Sequence, residues 1–351
     1  MTHALARRQP RRAGAPETHV LAFFVMGYPT GEITVLVLGD PAEPVLGKLA
    51  ALGSDVKVKV GKTAADLGAA VAEARVLFYW AGAADDIRSI VQGAPKLEWM
   101  HARHAGLDRI LIPELIASPI PVTNGSGVFS QALGEFAVLG ALYFAKDVPR
   151  RMRAKADRRW DVFDNDEVSR QTLGIVGHGD IGRAVAWRAK ALGMRVLALR
   201  RDTSPRAGDE HVDKVYPVPE LHAMLRECDY VVAAAPLTPE TKGMLGRREF
   251  EAMKPEAIVM NVGRGPVIDE AAMIEALRNK QIRGAALDVF EVEPLPEGSP
   301  LWTMDNVLLT AHCVDHTRTW LEDAVVFFME QFARWRRNEP LRNIVDKHAG
   351  Y

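Results

Sequence analysis

Three side chains suited to proton transfer and anion binding each follow a strand-like run. Arg264 stands between two glycines in Asn261-Val262-Gly263-Arg264-Gly265-Pro266, Glu293 lies in EVEPLP shortly after Asp288, and His312 follows NVLLT. Imidazole exchanges a proton near neutral pH. Guanidinium stays charged and grips a carboxylate or phosphate bidentately. Ligands of open α/β sheets bind outside the carboxyl ends of the strands, so residues placed there converge on one crevice. Singly, each of the three is most simply a surface charge. Their placement after successive strands points to a site.

A second constellation would bind a phosphate. Gly177-His178-Gly179-Asp180-Ile181-Gly182 is a G-x-G-x-x-G string between an apolar run, Leu173 to Val176, and a helical one, Arg183 to Leu192. The first glycine permits the tight turn, the second lets backbone approach a pyrophosphate, and the third allows close helix–strand packing. The helix start adds N–H donors and the positive end of a dipole. The string alone is weak; its strand-to-helix context makes it a dinucleotide fingerprint. The next strand ends at Leu199, where a ribose-binding acid is usual, but Arg200 and Arg201 follow, with Asp202 displaced beyond them. An arginine pair suits a 2′-phosphate and favours NADPH, with NADH also accepted. The competing reading is two solvated charges.

The elements that must position these groups alternate strand and helix, the pattern of a parallel α/β sheet. Early in the chain TVLVLG (34–39) and RVLFYW (75–80) read as strands, and ADLGAAVAEA (65–74) and IRSIVQGA (87–94) as helices. Pro119, Pro121, Asn124, Gly125 and Gly127 mark a break, and the apolar stretch Phe129 to Ala145 reads as a connecting helix. From Thr172 a second alternation offers six strands, at 173–177, 195–200, 230–235, 257–261, 284–288 and 306–310, the count of a complete doubly wound sheet. The stretch from Trp320 to Trp335 reads as one more helix. The fold class is therefore α/β, with two Rossmann-like doubly wound parallel-sheet domains. Residues 34–124 together with 314–351 are expected to form a discontinuous substrate domain, and 125–313 the dinucleotide domain.

Composition narrows the field. The 351 residues suit two domains or slightly more at about 150 per domain. Lys plus Arg total 44 against 45 for Asp plus Glu, so the basic surplus of a nucleic-acid binder is missing. Cys228 and Cys313 are too few for a disulfide framework or a zinc cluster, and no metal-ligand spacing occurs. No apolar run reaches the roughly 18 residues needed to span a bilayer. Residues 1–33, with Arg7, Arg8, Arg11 and Arg12 ahead of a short apolar run, read as a leader or disordered extension. The expected location is the cytoplasm, with organellar import left open by that basic segment.

From about Thr34 onward the chain resembles the D-isomer-specific 2-hydroxyacid dehydrogenases. The resemblance rests on GIVGHGDIGRA, APLTPETKGML, NVGRGPVIDE, GAALDVFEVEPLP, NVLLTAH and NIVDKHAGY. It implies Arg264, Glu293 and His312 as catalytic residues. It implies cofactor contacts at Gly177, Gly179, Asp180, Ile181, Gly182, Pro236, Val262 and Asp288, joined by Arg200 and Arg201. The substrate-carboxylate loop would be Arg103 to Asp108, with Ala105, Gly106 and Leu107 offering N–H groups alongside Arg264. Within the family, the RSAGLD-like loop, GVFS, YFAKD, the arginine pair and the NIVDK ending look most like the glyoxylate/hydroxypyruvate reductase branch. A homodimer is implied by the resemblance alone. Three positions depart from the family pattern: His178 where an aromatic is frequent, His104 where a small residue is usual, and Ala311 where proline precedes the histidine.

The implied reaction is hydride transfer from NAD(P)H to a small 2-keto acid such as glyoxylate or hydroxypyruvate, giving the D-2-hydroxy acid. His312 would donate the proton, Glu293 would orient the imidazole, and Arg264 would bind the carboxylate and polarise the carbonyl. The alternative on the same scaffold is a dinucleotide-sensing, corepressor-like binding protein, because fold does not fix function. Intact Arg264, Glu293 and His312 favour the enzyme.

Overall fold

The computed structural model describes residues 31–351; almost all of the basic leader lies outside the described residues. The first sheet comprises β1 (Ile33–Leu38), β2 (Val56–Gly61), β3 (Ala74–Tyr79), β4 (Trp99–Ala102) and β5 (Val122–Asn124), all parallel in the order β2-β1-β3-β4-β5. Sequence patterning finds β1 and β3, whose burial is continuous or nearly so, but not the other three. β2 reads VKVKVG, its lysines marking an exposed edge strand, while β4 carries a histidine and β5 has three residues. The helix expected over 65–74 is two short ones, Ala64–Leu67 and Ala70–Glu73. Gly68 between them adopts φ 55°, which no helix interior tolerates. Helix α1 (Ala84–Gly93) buries Ile87 and Ile90.

Helix α2 (Ser130–Ala145) leads into the second sheet. That sheet comprises β6 (Thr172–Val176), β7 (Arg195–Leu199), β8 (Lys214–Tyr216), β9 (Tyr230–Ala233), β10 (Ile258–Asn261), β11 (Gly284–Leu287) and β12 (Val307–Leu309). The order is β12-β11-β10-β9-β6-β7-β8, again parallel throughout. Seven strands replace the six expected. The extra one, β8, is a three-residue edge strand with only Tyr216 buried, too short to show periodicity. Helix α3 (Asp180–Ala191) follows β6 and crosses α2 closely: a methyl on Gly134 would lie 2.9 Å from the Ala184 carbonyl.

Helix α4 (Trp320–Arg336) follows the second sheet in sequence yet packs on the first. Phe328 stacks flat on Phe78, centroids 4.1 Å apart, and also faces Trp99. Ala324, Val325, Phe328 and Phe332 are buried against Ile33, Val35 and Val37. Beneath this stack lies a polar knot. The Trp99 indole donates to Thr123 Oγ1 (2.9 Å), and that hydroxyl lies 2.8 Å from His101 Nδ1. Tryptophan N–H only donates, so the Thr123 hydroxyl accepts from Trp99 and shares its second contact with His101, whose Nε2 is buried without a partner among the described residues. Burial pushes the His101 pKa down to about 3.

Candidate active site

The carboxyl ends of the two sheets face one cleft. One side of it is the turn from β6 into α3. Gly177 adopts φ 97°, and a methyl there would sit 2.6 Å from the Ala235 backbone; one on Gly182 would meet the Gly177 carbonyl at 2.5 Å. A methyl on Gly179 would meet nothing within 4 Å, because that peptide borders open cleft. The N–H groups of the first turn of α3 have no intrahelical acceptor, so backbone and space suit a pyrophosphate. Asp180 and Ile181 also line the cleft, as does Pro236 beyond β9. Asp180 accepts from Ser126 Oγ at 2.5 Å and pairs with Arg183, tying the helix start to the segment that crosses between the sheets.

The arginine pair divides. Arg200 is buried and grips Asp209 with both terminal nitrogens, at 2.5 and 2.7 Å, while Nη2 also donates to the Ser204 carbonyl. That contact holds the Asp209 carboxyl well below the usual carboxylate range. Burial keeps neighbouring His178 neutral with a pKa near 4, against the pull of Asp209. Arg201 is exposed, and its guanidinium lies 5.0 Å from the ring of Tyr351. Arg206 donates to the His178 carbonyl at 3.1 Å. Its pKa is lowered by burial, then by Arg200 and Arg183. Sequence reading picked out neither Asp209 nor Arg206, because the loop after β7 shows no pattern linking it to the glycine turn.

On the other wall, Arg264 reaches the 103–108 loop. Its Nε donates to Asp108 at 3.0 Å and Nη1 to the Gly263 carbonyl at 2.9 Å; a methyl on Gly106 would overlap Nη2. Burial pushes the Asp108 carboxyl up, but Arg264 outweighs it and the net shift is downward. Asn261 steadies the arginine, donating from Nδ2 to the Arg264 carbonyl (3.0 Å) and accepting from Gly263 N–H (3.1 Å). Asn124 does the same for the loop, donating to the Ala105 carbonyl at 2.7 Å. Ala105, Gly106 and Leu107 all line the cleft. His104 is held neutral, with a pKa near 4, first by burial and then by Arg103 and Arg264.

His312 follows β12 with φ 50°, its N–H bonded to the Asp288 carbonyl at 2.9 Å. Its Nδ1 lies 2.8 Å from Glu293 Oε2, while Glu293 Oε1 accepts the Phe290 N–H at 3.0 Å. Asp288 itself is buried. Its Oδ1 accepts from Thr310 Oγ1 (2.7 Å) and from the N–H groups of Cys313 (3.0 Å) and Val314 (3.3 Å), pinning the turn that presents His312. Val262 is buried in the core of the second sheet and is not among the residues that line the cleft. Among the described residues no cluster of His, Cys, Asp or Glu could hold a metal ion, and no helix is long and apolar enough to cross a membrane.

Two parallel sheets, a glycine turn at a helix start, Arg264 on the cleft wall and His312 after β12 paired with Glu293 are the features of a dinucleotide-dependent α/β oxidoreductase. Residues 138–314 match the family described as D-isomer specific 2-hydroxyacid dehydrogenase, NAD binding domain. A glyoxylate reductase of Thermococcus gammatolerans is 38% identical over 269 residues, 74% of this chain and 79% of the relative. A D-3-phosphoglycerate dehydrogenase of Methanocaldococcus jannaschii is 31% identical over 89% of this chain, which spans 59% of that relative's length. A D-isomer specific 2-hydroxyacid dehydrogenase of Xanthobacter autotrophicus, solved with NADPH and MES, superposes with TM-score 0.79 at 30% identity, covering 92% of this chain and all of its own. An NADPH-dependent glyoxylate/hydroxypyruvate reductase of Sinorhizobium meliloti, solved with NADP and sulfate, gives 0.77 at 26% identity with the same coverage. The chain belongs to the D-isomer-specific 2-hydroxyacid dehydrogenases, NAD(P)-dependent oxidoreductases.

Proposed function

We propose that this chain reduces glyoxylate, hydroxypyruvate or a similarly small 2-keto acid to the D-2-hydroxy acid, using NADPH in preference to NADH. The observation that carries the reading is Arg264 laid against the Ala105–Leu107 loop, with the His312–Glu293 pair completing the same family set. The likeness to the Thermococcus gammatolerans and Sinorhizobium meliloti reductases supports the substrate class. The cofactor preference rests on Arg201 and Arg206, charges with no carboxylate within 4.0 Å among the described residues, and on the NADPH and NADP held by the two similar structures.

A nicotinamide dinucleotide held at the glycine turn would supply the hydride. The Arg264 guanidinium and the loop N–H groups take the substrate carboxylate and fix the carbonyl at reacting distance. Charge developing on the carbonyl oxygen is stabilised by the same guanidinium and neutralised by the proton of His312 Nε2. Glu293 fixes the ring from its Nδ1 side, and Asp288 fixes the backbone that carries it. Residues 34–124 with 314–351 serve as the substrate unit, 125–313 as the cofactor unit, in a homodimer.

The test is an initial-rate panel of glyoxylate, hydroxypyruvate, phosphohydroxypyruvate, pyruvate and phenylpyruvate, each with NADPH and NADH, with the product's configuration determined. Highest kcat/KM for glyoxylate or hydroxypyruvate with NADPH is expected. Turnover confined to the phosphorylated or aromatic acid would overturn the substrate assignment.

A further inference from the structure

The segment after α4 returns to the first sheet and then reaches across the cleft. Val345 N–H bonds the Val122 carbonyl at 2.9 Å, and Ile344 bridges Thr123 antiparallel. Asn343 Nδ2 donates to the carbonyls of Asn124 (3.2 Å) and Ser126 (2.6 Å). Lys347 Nζ is drawn into the protein and donates to the carbonyls of Leu115 (3.0 Å), Ser118 and Ile120 (3.1 Å). From this anchor the chain closes on itself. Gly350 N–H bonds the Asp346 carbonyl, Asp346 N–H bonds the Tyr351 oxygen, and Asp346 Oδ1 caps His348 and Ala349. Gly350 adopts φ 85°, a turn that a side chain would strain.

The closure places Gly350 and Tyr351 on the wall of the cleft that Gly179, Asp180, Ile181 and Pro236 also line. There the Tyr351 ring faces the Arg201 guanidinium at 5.0 Å. The two belong to opposite sides of the cleft, Arg201 following β7 and Tyr351 held on β5. Arg200 is already spent on Asp209, which leaves Arg201 as the arginine of the pair free to meet a phosphate. An exposed arginine loses rotamer freedom when it binds, and a ring against one face removes that freedom beforehand. The second face and the N–H edge stay available to an adenine and its 2′-phosphate.

We propose that Tyr351 is a positioning residue for cofactor selection: it orients Arg201 from across the cleft and so favours the 2′-phosphorylated dinucleotide over the unphosphorylated one. The proposal rests on the NADPH reading of Arg201 given above. It is separable from that reading, because the tyrosine acts only through the arginine.

The experiment measures Kd for NADPH and NADH by fluorescence titration of the full chain, together with thermal unfolding. The variants are Tyr351→Ala, Tyr351→Phe, Arg201→Ala and the Tyr351→Ala/Arg201→Ala double variant. Tyr351→Ala should raise Kd for NADPH about 2–5-fold, the scale of an exposed cation–π contact, and leave NADH unchanged. Tyr351→Phe should behave as the parent, and the tyrosine change should add nothing once Arg201 is gone. Equal weakening of both cofactors by Tyr351→Ala, or no weakening while Arg201→Ala remains selective, overturns the role of the tyrosine alone. An unchanged cofactor ratio in Arg201→Ala overturns the arginine reading and the tyrosine proposal with it.

Discussion

Replacing Glu293 with glutamine tests how the proton donor is held. The carboxylate accepts twice, from Phe290 N–H through Oε1 and toward His312 Nδ1 through Oε2. An amide has one acceptor oxygen and one donor nitrogen. If the oxygen stays on Phe290, the NH₂ faces Nδ1, the ring must accept there, and its hydrogen moves to Nε2. An imidazole so locked cannot accept a proton at Nε2 during alcohol oxidation, and the imidazolium needed for reduction would set N–H against N–H. If the amide turns over, the Phe290 N–H loses its partner, at about 1–3 kcal/mol. The first arrangement loses the tautomer, and the second keeps an acceptor for Nδ1–H but removes the negative charge that favours the imidazolium. Since general acid–base catalysis contributes about 10²–10⁴-fold, and removing a carboxylate behind a catalytic histidine can cost ~10⁴, kcat should fall by about 10²–10⁴ in both directions. The assay follows NADPH oxidation with saturating keto acid and NADP⁺ reduction with the D-hydroxy acid, alongside cofactor Kd by fluorescence. Cofactor affinity should not move, because the glycine turn is a separate part of the cleft. A Glu293→Gln enzyme with kcat within about threefold of the parent would refute the tautomer argument, since acid–base catalysis is worth far more than that.

Three further outcomes follow from the same geometry. Arg200→Ala should cost about 3 kcal/mol in urea unfolding, the low end for a broken buried pair because Asp209 keeps 21% of its side chain in water, whereas Arg201→Ala should leave stability within about 0.5 kcal/mol. Equal losses from the two would contradict the division of the pair. Gly106→Ala should displace the Arg264 guanidinium without touching the fold, lowering kcat/KM about 10–100-fold at unchanged Tm; an unaffected rate would mean the arginine does not work from that position. His101 has its folded pKa depressed to about 3 against about 6.5 when unfolded, so the unfolded chain binds the extra proton between those values. Its contribution is complete above pH 6.5 and lost as pH falls toward 3, roughly 2 kcal/mol of it by pH 5. His101→Asn should flatten the loss measured by urea unfolding at pH 7.5 and 5, and an equally steep loss would place the acid sensitivity elsewhere.

Much of this protein was legible in one dimension because its signals are local. The glycine string between an apolar strand and a helix is set by backbone sterics within six residues, and Gly177 and Gly182 show the close approaches those sterics require. Arg264, Glu293 and His312 could be singled out because strand ends in a parallel sheet face one edge, whatever the loops between them do. β4, β5 and β8 escaped because a buried histidine or a length of three to four residues leaves no clear periodicity, whereas the VKVKV alternation of β2 is a strand signal that the sequence reading passed over.

The pairing of charges was decided elsewhere. Arg200 and Arg201 are adjacent and chemically identical, yet β7 turns one inward onto Asp209 and leaves the other at the cleft facing Tyr351. Asp288, a strand-end acid by sequence, spends its Oδ1 holding the His312 turn. Asp108, Asn124 and Asn261 position the 103–108 loop and Arg264 from separate segments of the chain, and nothing in their spacing announces it. Local backbone preference and apolar burial are written residue by residue, so sequence alone determined the strand–helix alternation, the glycine turn and which side chains stand at the strand ends. Which charge meets which depends on contacts between residues far apart in the chain, and those exist only once the two sheets and the returning helix α4 have packed.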